Sequence, residues 1–191
     1  MAVIREGNQA VLIVVDVQVS VMRNAWEAPR VIRNIAQVVD KARRLDVPVI
    51  WVQHADDDLV SGSPDWQWVP ELSPGEGEKL VLKRYNSAFE ETALEEDLAE
   101  LGATHIVLTG AASNWCIRAT AYGALDRGYD LTLITDAHTT ETMELEDGTS
   151  IKAEDIIREL NLAITWLRYP GRKNGTASAK EVDFSLLDNV R

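Results

Sequence analysis

Three side chains in the sequence could do chemistry together: Asp16, Lys83 and Cys116. Asp16 and Lys83 fall at the ends of apolar runs that read as buried strands, and Cys116 sits just past a third run, in a turn leading into a helix. A thiol at a helix start gains from the N-terminal dipole and from any nearby ammonium, both of which favour thiolate. A carboxylate beside it could take the proton. Nucleophile, base and ammonium make up the set that acyl transfer through a thioester requires. Taken singly, each has an ordinary role, since a lone cysteine is a small hydrophobe and a strand-end lysine is solvated. Asp16 is less ordinary, because a carboxylate in a strand otherwise fit for full burial is costly unless paired.

The elements that must position these groups follow from periodicity. Residues 10–19, AVLIVVDVQV, form a β-branched run interrupted by Asp16, the pattern of a strand buried on both faces. Val31, Ile32, Ile35, Val38, Val39, Ala42 and Leu45 recur at helical spacing, with Pro29 in the entry turn and Arg43 and Arg44 favouring the C-terminal dipole. A strand over 47–53 precedes a long polar loop ending near Glu78, and loops of that length are usually functional. A short strand over 79–83 follows. Leu94, Leu98 and Leu101 mark a helix closed by Gly102, before a strand over 105–110. Ile117, Ala121, Ala124 and Leu125 mark the next helix, closed by Gly128 before a strand over 129–135. The remainder reads as a helix over 153–160, a strand over 163–168 and a polar tail, 171–191, with one apolar cluster at 182–187. Alternating strands and helices predict one α/β domain over 1–191: a doubly wound, mostly parallel sheet with helices on both faces. In such sheets ligands bind beyond the carboxyl ends of the strands, where strand order reverses.

Composition narrows the function. Of 191 residues, 46% are hydrophobic, and 19 Lys and Arg stand against 31 Asp and Glu, for a net charge of −12. That acidity leaves no basic footprint for nucleic acid. No apolar run approaches the roughly 20 residues of a membrane span, so no membrane partner is expected. The single cysteine excludes an internal disulfide and fits a cytoplasmic setting. It also leaves a thiol redox protein without a resolving partner. The GAASNWC segment after the third long strand lacks the glycines of a dinucleotide-binding turn.

Three blocks carry a family resemblance: VVDVQ at 14–18, LKRYNSAFEETALEEDL at 82–98, and LTGAASNWCIRATAYGALDRGYDLTLITDAHTT at 108–140. In order and spacing they resemble the signature blocks of the isochorismatase-like cysteine hydrolases, a superfamily that includes nicotinamidases and carbamoylsarcosine amidohydrolases. The resemblance implies a six-stranded parallel sheet, a triad of Asp16, Lys83 and Cys116, and a cis peptide between Ala111 and Ala112. It also implies an oxyanion hole from the Ala112 and Cys116 N–H groups. The implied reaction is cofactor-independent cleavage of a C–N bond in a small-molecule substrate, by a homo-oligomer. Vinyl-ether hydrolysis and a non-catalytic partner protein are the alternatives, with Cys116 favouring the amide.

Nicotinamidases place an aspartate and several histidines on a metal. Here the matching stretch is WVQHADDD, 51–58, and with His54, His105 and His138 the only histidines, a multi-histidine site cannot be assembled; no metal is expected. Gln18 and Trp115 are the candidate substrate contacts. Gln18 is two residues beyond Asp16 and so on the same strand face, and Trp115 directly precedes the thiol. Trp66, Trp68 and Tyr85 could enclose a flat or apolar group, or simply pack.

Overall fold

The computed structural model of the protein describes residues 7–184. Strand β1 (Gln9–Val15) lies at the centre of a six-stranded sheet. The chain then forms a short helix α1 (Val19–Arg23), helix α2 (Ala28–Arg44), strand β2 (Val49–His54) and, after the long loop, strand β3 (Lys79–Lys83). Helix α3 (Leu94–Glu100), strand β4 (Ala103–Ala111), a π-helical turn (Ser113–Ile117), helix α4 (Arg118–Asp126) and strand β5 (Asp130–Thr139) follow. A small antiparallel hairpin, β6 (Met143–Glu144) with β7 (Ser150–Ile151), leads to helix α5 (Ala153–Trp166) and strand β8 (Asn174–Ala177).

The order is β3-β2-β1-β4-β5-β8, and every pairing in that sheet is parallel. The period of two along β1 sends Ala10, Leu12 and Val14 to one face and Val11, Ile13 and Val15 to the other, and all six are buried. The first face packs on α2 through Val31, Ile32, Ile35, Val38, Val39 and Ala42. The second packs on α3, α4 and α5 through Leu94, Leu98, Ala121, Leu125, Leu160 and Ile164. An α/β sheet with helices on both faces is therefore what these sequence patterns build. Leu45, counted on the apolar stripe of α2, is instead its exposed C-cap residue. Gly102 and Gly128 close α3 and α4 at positive φ, as their positions predict.

Several elements differ from the sequence expectation. β1 stops at Val15, because Asp16 adopts left-handed backbone (φ 51°) and Val19 already begins α1. The expected strand over 163–168 is the last turn of α5 and its exit. The Ile156, Leu160, Ile164 spacing continues the buried helical stripe, and Leu167 N–H still bonds to the Ala163 carbonyl. The sixth strand comes from the polar tail, where β8 covers the outer edge of β5. A four-residue edge strand reading NGTA carries no hydrophobic alternation to announce it. Within the apolar cluster at 182–187, Val182 and Phe184 are buried beneath α2, while Leu186 and Leu187 lie outside the described residues.

Candidate active site

The strand order reverses between β1 and β4, and the carboxyl ends of β1, β3 and β4 deliver the three candidate side chains to that point. Asp16 follows β1 directly, its left-handed backbone turning the chain out of the strand while its N–H still bonds to the Val52 carbonyl at 2.8 Å. Gly110 makes the switch point tight. At φ 121° it lies so close to β1 that a Cβ there would stand 2.0 Å from the Val15 carbonyl oxygen. The Ala111–Ala112 peptide is cis. Beyond it the π-helical turn presents Cys116, with the Ala112 carbonyl accepting from the N–H groups of Trp115 and Ile117. His138 braces this turn from behind: fully buried, it meets Ser113 Oγ at 2.8 Å through Nδ1 and Asn161 Oδ1 at 3.0 Å through Nε2.

Lys83 joins the cluster. Its side chain and that of Asp16 are 0% and 1% exposed, with Nζ 2.7 Å from Asp16 Oδ2. The angles of that contact fall outside those of a hydrogen bond among the described residues, yet Lys83 and the Cys116 thiol both stand close enough to favour the Asp16 carboxylate. The aligned donations of Nζ go to Cys116 Sγ at 3.2 Å, the Tyr85 carbonyl at 3.1 Å and His54 Nδ1 at 3.2 Å. Burial raises the proton affinity of Asp16 above the usual carboxylate range despite the ammonium beside it. For Lys83, burial opposes the charge, but Asp16 and Cys116 outweigh it and the ammonium is held on. Burial and the Asp16 carboxylate push the Cys116 thiol up to about 12, against the pull of Lys83. The sequence argument, dipole plus ammonium, expects the opposite direction. It could not weigh the desolvation of a largely enclosed sulfur beside a carboxylate.

Gln18 lies past the end of β1, fully buried. Its amide donates to the His54 carbonyl at 3.0 Å and the Trp66 carbonyl at 2.9 Å, and accepts the His54 N–H at 2.9 Å. It thus clips the end of β2 to the long loop. Trp115 flanks the thiol with its side chain half exposed. Among the other aromatics, Trp51 is in the core with Trp68 packed edge-on at 5.3 Å, and Tyr85 is half exposed.

His54 is the site residue that sequence reasoning passed over, having considered it only as a metal ligand. It pairs in register with Lys83 across β2 and β3, and its Nε2 lies 2.8 Å from Asp56 Oδ2. The signal was present as a histidine and a lysine closing adjacent parallel strands. Among the described residues, no group of three or more His, Cys, Asp or Glu gathers as a metal site, and no helix is long and apolar enough to cross a membrane.

Comparison with known proteins agrees with this fold and gives its family. The isochorismatase domain model matches residues 10–161. Streptothricin hydrolase of Streptomyces noursei is 32% identical over 146 residues, 73% of this chain but 58% of that protein's length. A nicotinamidase of Arabidopsis thaliana is 28% identical over 160 residues, covering 73% of this chain and 78% of its own. An isochorismatase crystal structure from Pseudomonas putida superposes with a TM-score of 0.79 at 29% identity, over 96% of this chain and 94% of that one. With its domain model spanning all three candidate residues and a solved relative superposing over nearly the whole chain, the chain belongs to the isochorismatase family of hydrolases.

Proposed function

We propose that the protein is a cysteine-dependent hydrolase that cleaves an amide-type C–N bond of a small molecule through a thioester. The observation that carries this reading is one thiol, one carboxylate and one ammonium converging in a buried site, with Nζ of Lys83 2.7 Å from Asp16 and 3.2 Å from Cys116. A thiol pushed up to about 12 stores no thiolate at neutral pH. Asp16 is the matching base, its affinity for a proton raised by the same burial. As Sγ attacks the carbonyl carbon, the S–H proton passes to Asp16 and the carbonyl electron pair moves to oxygen. That oxyanion is held by the N–H groups of Ala112 and Cys116. Collapse breaks the C–N bond, and Asp16 returns the proton to the departing nitrogen. Water then adds to the thioester while Asp16 takes its proton, and the second collapse releases the acid and regenerates the thiol. Lys83 stabilises the charge on sulfur throughout.

These steps are complete with side chains and backbone amides, so no cofactor enters them. Trp115, exposed beside the nucleophile, offers a flat apolar wall for the acyl group. Gln18, its amide committed to backbone groups of His54 and Trp66, shapes the site rather than offering a free donor. The names of the relatives, streptothricin hydrolase and nicotinamidase, support hydrolysis as the reaction class. We also propose that copies of the 21.2 kDa chain associate, which light scattering would size; a monomer at working concentration would end that part.

A panel of small amides, assayed for release of ammonia or amine, tests the function. Cys116→Ala should lower turnover of any hit on the order of a thousandfold or more, with unchanged circular dichroism. Wild-type activity in that variant would remove the nucleophile assignment.

A further inference from the structure

The Lys83 ammonium has three N–H bonds and four acceptors around it. Three acceptors lie within hydrogen-bond distance and angle: His54 Nδ1, the Tyr85 carbonyl and Cys116 Sγ. The fourth, Asp16, is nearest at 2.7 Å, yet its oxygens receive no aligned donor. Rotation about Cε–Nζ leaves the heavy-atom angles unchanged, so the missing bond to Asp16 reflects where Nζ sits against the carboxylate, not how the ammonium is turned. Its other three partners hold Nζ there. The His54 ring is fixed from both sides. Gln18 binds the N–H and carbonyl of its backbone, and Asp56 Oδ2 lies 2.8 Å from Nε2. Asp56 is itself held by the N–H groups of Asp58 and Leu59 at its other oxygen, Oδ1. A carboxylate at Nε2 favours the tautomer with the proton there, leaving Nδ1 as an acceptor for Lys83.

We propose that His54 is a positioning residue for Lys83: accepting one ammonium proton at Nδ1, it aims another at Cys116 Sγ and leaves the Asp16 lone pairs open to receive the thiol proton. The inference rests on the cysteine-hydrolase reading and adds to it a chain from Asp56 through His54 to Lys83. The transfer it serves breaks S–H and forms O–H on Asp16, with no other reactant. The titratable groups around Asp16 are Lys83 from β3, Cys116 from the π-helical turn and His54 from β2. Those bonded to His54 are Lys83 and Asp56.

The test is alkylation of native protein by iodoacetamide across pH, read by intact mass, with Cys116 the only thiol. While thiol and carboxylate share one proton, the reactive microstate has a constant population, so the wild-type rate should rise on an acid limb and then run level through neutrality. In His54→Leu, Nζ is released from Nδ1, settles into hydrogen-bonding geometry with Asp16 and makes it a weaker base. The acid limb should move to lower pH, and the level rate should fall by about tenfold. His54→Asn, whose Oδ1 can replace Nδ1, should recover most of the rate. Asp56→Ala, on an exposed loop, should move limb and rate in the same directions as His54→Leu and carries the test if that variant misfolds. An acid limb unmoved in His54→Leu and Asp56→Ala, whether the rate is kept or uniformly lost, would overturn the positioning role while leaving the nucleophile reading intact. A wild-type thiol that reacts only on unfolding would remove both.

Discussion

At the scale of single residues the site is a balance of three coupled titratable groups, and removing any one should move a pH profile in a direction that can be worked out. In the proposed reaction Asp16 must be ionised to accept the thiol proton, and its affinity is raised by burial, so activity should fall as pH drops through a limb above the ordinary carboxylate range. Lys83→Gln removes the ammonium that favours the Asp16 carboxylate. The limb should then move to higher pH and turnover should fall on the order of a hundredfold, measured as kcat/KM against pH on any amide hit. A limb that stays put in Lys83→Gln would mean that Lys83 does not act on Asp16. That these three residues could meet was legible in the sequence because Asp16 and Lys83 fall at the ends of apolar runs and Cys116 just past a third. The direction of the thiol shift was not. Linear order gives neither the depth of burial of Cys116 nor the carboxylate beside it, and these outweigh the ammonium.

At the scale of elements, the site depends on how closely the ends of β1 and β4 approach. Gly110 permits that approach, and a methyl group there would meet the Val15 carbonyl oxygen at 2.0 Å and its nitrogen at 2.7 Å, both backbone atoms with no room to give. Gly110→Ala should therefore cost about 3 kcal/mol or more in urea unfolding, or prevent folding. A loss below about 0.5 kcal/mol would mean that the two strand ends can separate without consequence. The long strands and the α2 stripe could be read from sequence because burial on both faces imposes continuous apolar runs, and burial on one side imposes helical spacing. The sixth strand could not. β8 is short and polar, held at an edge by β5, and its strand character comes from the ladder rather than from its own residues. The end of α5 was misread for the converse reason: Ile164 and its neighbours are β-formers continuing a helix that the core already holds.

At the scale of the whole molecule, stability and site are joined through His138. Burial drives its proton affinity down from 6.5 to about 4, so it stays neutral between Ser113, which begins the Cys116 turn, and Asn161 on α5. An unfolded chain would take up that proton near 6.5, before the folded one does. Stability held above that value should thus be lost as pH falls toward about 4, by up to roughly 3 kcal/mol. Urea unfolding of wild type and His138→Gln across this window should give curves that converge as pH falls; parallel curves would contradict the assignment. The central claim, that Asp16 takes a proton from Cys116, has a direct test that needs no substrate. Native wild type and Asp16→Asn are alkylated with a haloacetamide from about pH 5 to 9 and followed by intact mass. The account predicts a level rate through neutrality in wild type, and in Asp16→Asn a rate that climbs with pH without that level region. A rate climbing about tenfold per pH unit in both proteins, as for an unassisted thiol, or modification only on unfolding, would contradict it.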